Sequence, residues 1–218
     1  MICRKFILIL IVFLSTEVSG ENNAENFGVD YIKLDHEPGI QLDIRYATKN
    51  NFTGKNLYGN YRSCYLHRDA AEKLKKALRL LHEREPHYKL LIFDCLRPRS
   101  IQKILYAHVR GTSQQPYVAN PEGGSIHNFG FAVDLSILDG NGKEMDMGTA
   151  YDDFKDLARS DREILFLKKG LLAQEQLENR KLLRSIMTAA GFIQLPLEWW
   201  HYDALPAKEV RKRFSIVE

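Results

Sequence analysis

The sequence predicts a single α+β domain, a small and mostly antiparallel sheet flanked by helices. Two helical patterns, at 68–85 and 174–190, accompany two strand patterns, at 88–95 and 131–138. The chain has 218 residues and shows no repeat or low-complexity linker after residue 26, so one domain accounts for it. With 44% hydrophobic and 27% charged residues it can build a core, which excludes a disordered or collagenous chain.

In chain order, residues 1–20 read as a secretory signal peptide. Arg4 and Lys5 precede the apolar run Phe6 to Leu14, and Val18-Ser19-Gly20 leads into the polar Glu21-Asn22-Asn23. The apolar run is about half of the ~20 residues that a membrane span needs, so no stable anchor is expected after cleavage. The mature domain is then 21–218, exported to a periplasm or secreted. Cys3 would leave with the signal, so Cys64 and Cys95 remain, either as a disulfide or as two buried thiols. Neither belongs to a Cys-x-x-Cys pair, which rules out a cysteine zinc ribbon. The net charge of +3 comes from 31 basic and 28 acidic residues spread along the chain, which argues against a nucleic-acid partner.

Gln41 to Ala47 alternates Leu42, Ile44 and Tyr46 with polar residues, the pattern of a half-buried strand, and Asn50 to Gly54 follow as a turn. From Arg68 to Glu85, Ala70, Leu74, Ala77, Leu78 and Leu81 recur at helical spacing until Pro86 ends the pattern. Tyr88 to Cys95 reads as a central strand. Ser100 to Arg110 reads as a short helix capped by Ser100 and closed by Gly111. The polar stretch 111–124 is a loop and a candidate rim for a site. In 131–138, Phe131, Val133, Leu135 and Ile137 share one face while Ala132, Asp134 and Ser136 share the other, so Asp134 leaves the main apolar face. The second long helix, 174–190, turns Leu183, Ile186, Met187 and Ala190 inward and stops at Gly191.

Of seven histidines, His36, His67, His82, His87 and His108 lie in polar or helix-surface contexts and read as solvated. His127 precedes Asp134 by seven residues across a loop-to-strand junction that can fold both onto one ion. Imidazole and carboxylate suit zinc, and a catalytic zinc takes three protein ligands with one position left open. His201 offers the third donor. Glu198, three residues earlier among tryptophans, is placed as a proton shuttle. Residues 198 and 201 would face opposite sides of a straight strand, so this pairing demands a bend or single helical turn. A surface Glu198 and a core His201 would be the alternative. Arg97, held extended before Pro98, is either an anion-binding group or a structural ion pair. Ser125 lacks the frame of a nucleophilic serine.

The run Ser125-x-His127-x-x-Gly130-x-Ala132-x-Asp134 together with Glu198-x-x-His201 resembles the zinc D-alanyl-D-alanine dipeptidases, the VanX-like D,D-peptidases. Further matching segments are Arg45-Tyr46-Ala47-Thr48, Asn51-Phe52-Thr53-Gly54, Arg97-Pro98, Met147-Gly148-Thr149, Asn179-Arg180, Leu183 to Met187, Gly191-Phe192 and Glu198 to Tyr202. The resemblance implies the Hedgehog-like D,D-peptidase zinc fold and one Zn2+ per chain held by His127, Asp134 and His201. It further implies Glu198 as general base and acid, Arg97 at the oxyanion, and Ser125 and Asp152 at the substrate's amino group. The expected activity is hydrolysis of a small D,D-dipeptide by a metal-activated water, in cell-wall peptide turnover. A D,D- or L,D-carboxypeptidase and a non-catalytic zinc-containing wall-binding module are the alternatives. The chain departs from the pattern at Asn128-Phe129, where the dipeptidases carry Ser-Arg.

Overall fold

A computed structural model describes residues 27–218. The signal-peptide reading of residues 1–20 lies outside the described residues. The strands are β1 (Tyr31–Lys33), β2 (Ile40–Leu42), β3 (Tyr65–His67), β4 (Lys89–Asp94), β5 (Ala132–Leu138), β6 (Ile193–Gln194) and β7 (His201–Asp203). The helices are α1 (Arg68–His82), α2 (Arg99–Val109), α3 (Glu163–Lys168), α4 (Gln174–Ala190) and α5 (Ala207–Arg213).

β2, β4, β5, β7 and β6 form a five-stranded sheet in that order, while β1 and β3 pair separately. Only the β2–β4 pairing is parallel within the larger sheet. The mostly antiparallel α+β expectation therefore holds. α1 buries Ala70, Ala71, Leu74, Ala77, Leu78 and Leu81 and packs against α4, which buries Leu183, Ile186, Met187 and Ala190 and ends on left-handed Gly191. Among the described residues no helix is long and apolar enough to cross a membrane.

Register, more than strand content, places the site. Leu91 pairs with Ser136 and Ile92 with Leu135, but the register then shifts so that Asp94 faces Asp134. Continuing the first register would have paired Asp94 with Val133 on the opposite, apolar face, because side chains alternate along a strand. The irregularity at Phe93 is thus what turns Asp94 toward the site. On its other side Asp134 pairs with His201, so Asp94, Asp134 and His201 form a row across three adjacent strands.

Several local expectations change. The strand expected from Gln41 to Ala47 ends at Leu42, and Arg45–Ala47 instead form a 3-10 turn. The amide of Asp43 still donates to Ile92, but the Tyr46 carbonyl receives the amides of Leu57 and Tyr58, which folds the chain back on itself. α1 stops at His82, three residues before the end expected from periodicity, because the amides of Arg84 and Glu85 both turn back to Leu81. α2 starts at Arg99 with Pro98 at its cap position, so Ser100 lies inside the first turn. β5 is buried along its whole length, not on one face alone. His67 is no solvated residue: its ring accepts from the Asp69 amide at the head of α1 and stacks on Phe131 at 4.4 Å. His82 bonds the Tyr88 carbonyl, while His36, His87 and His108 are exposed as expected.

Cys64 and Cys95 are joined by a disulfide with their Cα atoms 5.3 Å apart. It ties the residue before β3 to the residue after β4, two residues ahead of Arg97 in the chain.

Candidate metal centre and active site

The expected ligands converge. His127 Nε2 lies 3.2 Å from Asp134 Oδ1 and 3.1 Å from His201 Nδ1, and His201 Nδ1 lies 2.9 Å from Asp134 Oδ1. Each residue comes from a different element: a 3-10 turn at Ile126–Phe129, β5, and the first position of β7. His127 is 1% exposed, Asp134 3% and His201 9%.

Hydrogen bonding fixes which ring nitrogens face inward. His127 Nδ1 sits 2.7 Å from the Cys95 carbonyl oxygen, which can only accept, so Nδ1 carries the proton and Nε2 presents a lone pair. His201 Nε2 sits 2.9 Å from Asp203 Oδ1, so its Nε2 proton goes to that carboxylate and Nδ1 is the nitrogen turned inward. The two inward nitrogens and one Asp134 oxygen thus converge on a point where a cation would replace the proton that His201 and Asp134 otherwise share. Separations of 2.9–3.2 Å are close to the ~3.3 Å expected between ligands ~2.0–2.1 Å from one tetrahedral ion. The donor set and its outer hydrogen bonds fit zinc.

Electrostatics follow from burial. Desolvation would raise the Asp134 carboxyl, but His127 and His201 outweigh it and hold the group well below the usual carboxylate range. Burial would lower His201, yet Asp203 and Asp134 push it well above an ordinary imidazole. The other Asp134 oxygen accepts from the Tyr151 hydroxyl at 3.1 Å. That bond leaves Oδ1 as the inward donor.

Glu198 sits in the same cavity, on the bend that its spacing from His201 required. β6 ends at Gln194, the Glu198 amide turns back to Leu195, and β7 resumes at His201. The Trp199 amide donates to Ala158 and its indole to Thr149 Oγ1, so the tryptophan pins this turn to the 147–158 segment. Burial raises the Glu198 carboxyl to about 8, with His201 working against the rise and Asp134 adding to it.

Arg97 is buried and engaged. Its Nε donates to Asp94 Oδ2 at 2.8 Å, its Nη2 forms an ion pair with the same oxygen at 2.7 Å, its Nη1 donates to Gln102, and its guanidinium lies 4.9 Å from the Tyr46 ring centre. Nη2 also stands 3.6 Å from Asp134 Oδ2. Asp152 adopts a left-handed φ of 60° and accepts from the Tyr46 hydroxyl and the Phe52 amide. Burial, followed by the charge of Asp134, raises its carboxyl well above the ordinary value. α4 holds this loop from behind. Asn179 donates to the Asp146 carbonyl, and Arg180 donates to the carbonyls of Met147 and Leu157.

Ser125 caps the 3-10 turn, accepting from the His127 amide, while Asn128 returns its side chain to the Ser125 amide and the Arg97 carbonyl. Asn128 and Phe129, the two departures from the dipeptidase pattern, are buried parts of this framework. Arg97, Ser125, His127, Asp134, Asp152, Glu198 and His201 all line one cavity of about 200 Å³. The Cys64–Cys95 bridge lies outside its lining.

Sequence reasoning missed Asp94, Gln102, Tyr151 and Asp203. Asp203 carried a signal, since residues 201 and 203 share one face of a strand. Tyr46 stood within a matching segment without a role. Asp94 and Gln102 carried none, because a bulge and a side chain reaching back from α2 place them.

The chain matches the family model described as D-ala-D-ala dipeptidase, of the M15 peptidases, over residues 29–218. It is 31% identical over 166 residues to the D-alanyl-D-alanine dipeptidase of Escherichia coli (strain K12), covering 76% of this chain and 79% of that protein. It is 32% identical over 192 residues to the D-alanyl-D-alanine dipeptidase of Enterococcus faecium, covering 75% of this chain and 85% of that one. The Synechocystis protein of the same name is 28% identical over 168 residues, covering 61% and 66%. With the site geometry and these matches in agreement, the chain belongs to the M15 D-Ala-D-Ala dipeptidase family of metallopeptidases.

Proposed function

We propose that this chain is a zinc-dependent D,D-dipeptidase that cleaves D-alanyl-D-alanine or a close relative. The observation that carries the proposal is the convergence of His127 Nε2, Asp134 Oδ1 and His201 Nδ1 in a cavity that also holds Glu198 and Arg97. Zinc bound there would polarise the substrate carbonyl and acidify a water molecule.

Glu198 takes the proton of the attacking water. A water oxygen bonds to the carbonyl carbon, and the proton held on Glu198 then passes to the departing amine as the C–N bond breaks. A nearby dication favours the ionised form of Glu198, offsetting the burial that raises its carboxyl to about 8 in the metal-free protein. Arg97 offers a permanent charge, oriented by Asp94 and Gln102, to the oxygen on which negative charge develops. Asp152, which lines the same cavity, receives the substrate's free ammonium. That cation brings the counter-charge that the buried Asp152 carboxyl lacks.

A cavity of about 200 Å³ is small beside the ~300–1,000 Å³ of ordinary ligand sites, which favours a free dipeptide over the stem peptide of a D,D- or L,D-carboxypeptidase. A purely structural zinc site would need neither Glu198 nor Arg97. We further place the enzyme outside the cytoplasm, periplasmic or secreted, acting on wall-derived peptides. The pattern of residues 1–20 supports export, and the Cys64–Cys95 bridge suits an oxidising compartment. Purified protein should hydrolyse D-Ala-D-Ala, lose activity to a chelator, regain it with zinc and ignore the N-acetylated dipeptide. Chelator-resistant turnover, or equal use of the acetylated substrate, would reject the proposal.

A further inference from the structure

Besides its two ligand histidines, the cavity is lined by two basic residues, Arg97 and Arg211, and their charges are used differently. Arg97 is paired with Asp94 and donates also to Gln102, so its charge is partly countered before any ligand arrives. Arg211 donates Nε to the Gly123 carbonyl and Nη2 to the Gly124 carbonyl, both at 2.9 Å. Carbonyl oxygens hold the guanidinium in place without cancelling its charge, and Arg211 makes no ion pair among the described residues. Its Nη1 protons are uncommitted, leaving a donor edge of the fork for a ligand.

α5 is built to present that edge. Val210 is fully buried and fastens the helix, while Ala207 and Arg211, one helical turn apart, both line the cavity. The Gly123-Gly124 carbonyls that grip Arg211 directly precede Ser125, whose Oγ accepts from the His127 amide and whose hydroxyl proton has no acceptor among the described residues. A fixed, unneutralised guanidinium and a free hydroxyl thus belong to one loop–helix unit of the wall. Asp152 is anchored by a different unit, through Tyr46 and Phe52.

We propose that Arg211, assisted by the Ser125 hydroxyl, which the family resemblance had put at the amino group, binds the free C-terminal carboxylate of the substrate and is the residue that makes this chain selective for it. The assignment rests on the dipeptidase function proposed for the site. A dipeptide is a zwitterion, and Asp152 with Arg211 gives the cavity one group of each sign to meet it. Arg211 is a specificity residue: it leaves the scissile carbonyl to Arg97 and Glu198.

The test compares D-Ala-D-Ala with its C-terminal amide, on zinc-loaded wild type and on Arg211→Met and Arg211→Lys. Loss of one charge-assisted hydrogen-bonded contact corresponds to about a 10- to 100-fold change. Wild type should therefore prefer the free acid by that factor in kcat/KM. Arg211→Met should bring the ratio close to one, chiefly through a higher KM for the acid, and Arg211→Lys should keep part of the preference. A ratio unchanged in Arg211→Met, or acid and amide falling together, would overturn the assignment in favour of a structural role. Wild type that hydrolyses D-Ala-D-Ala and its amide equally well would remove the Arg211 assignment alone. Wild type that hydrolyses neither would remove the dipeptidase function together with it.

Discussion

His201 and Asp203 stand two residues apart on β7, and the Asp203 carboxylate receives the Nε2 proton of His201 at 2.9 Å. The strand's alternation puts both side chains on one face, and the bond sets the tautomer that turns Nδ1 toward Asp134. Asp203→Ala should weaken zinc binding by about 10- to 100-fold while leaving the fold intact. Competition titration with a chromogenic chelator measures it. Wild-type affinity in the variant would show that ring orientation is held by packing instead.

Glu198→Gln keeps the three ligand atoms and removes the proton carrier. Zinc content should remain near one per chain, while kcat falls by about 10²- to 10⁴-fold. Metal analysis alongside turnover separates the roles, because joint loss of zinc and activity would make Glu198 a ligand.

The same variant gives a pH signature in chelated protein. The folded Glu198 carboxyl lies at about 8 against 4.5 for the free group. Its contribution to stability is therefore complete below about pH 4.5 and is lost as pH rises through 8. The raised His201 gives a loss in the same direction, common to both proteins. Metal-free Glu198→Gln should gain on metal-free wild type by up to roughly 4 kcal/mol between pH 4.5 and 8. Urea unfolding across that range would show it, and parallel stability curves would contradict it.

The Cys64–Cys95 bridge spans a sequence separation of 31 residues. Loop-closure entropy then assigns it about 3 to 4 kcal/mol. The Cys95 carbonyl also orients His127, so Cys64→Ser/Cys95→Ser should lose zinc affinity as well as stability. Thiol titration of unreduced, unfolded mature protein should find no free thiol. Two thiols per chain would remove the bridge.

Much of the frame was legible because it depends on local periodicity. The alternation at 131–138 correctly turned Asp134 away from the main apolar face, and the spacing at 174–190 gave the bounds of α4. The odd spacing of Glu198 and His201 demanded a bend, and the chain turns there. At 41–47 the same reasoning misread a 3-10 turn as strand. Leu42, Ile44 and Tyr46 do alternate, but loop hydrogen bonds to the Tyr46 carbonyl decide that backbone.

The sequence by itself determined which residues could meet at a metal, since His127, Asp134, Glu198 and His201 carry their chemistry and spacing in one dimension. Only the tertiary structure decided how they meet. The register shift at Phe93 brings Asp94 to Arg97, a backbone carbonyl of Cys95 sets the His127 tautomer, and α5 carries an unneutralised Arg211 to the cavity. Register, carbonyl direction and the absence of a counter-ion are relations between distant segments. They leave no periodicity to read, because every residue offers the same carbonyl and folding alone selects which one a histidine finds.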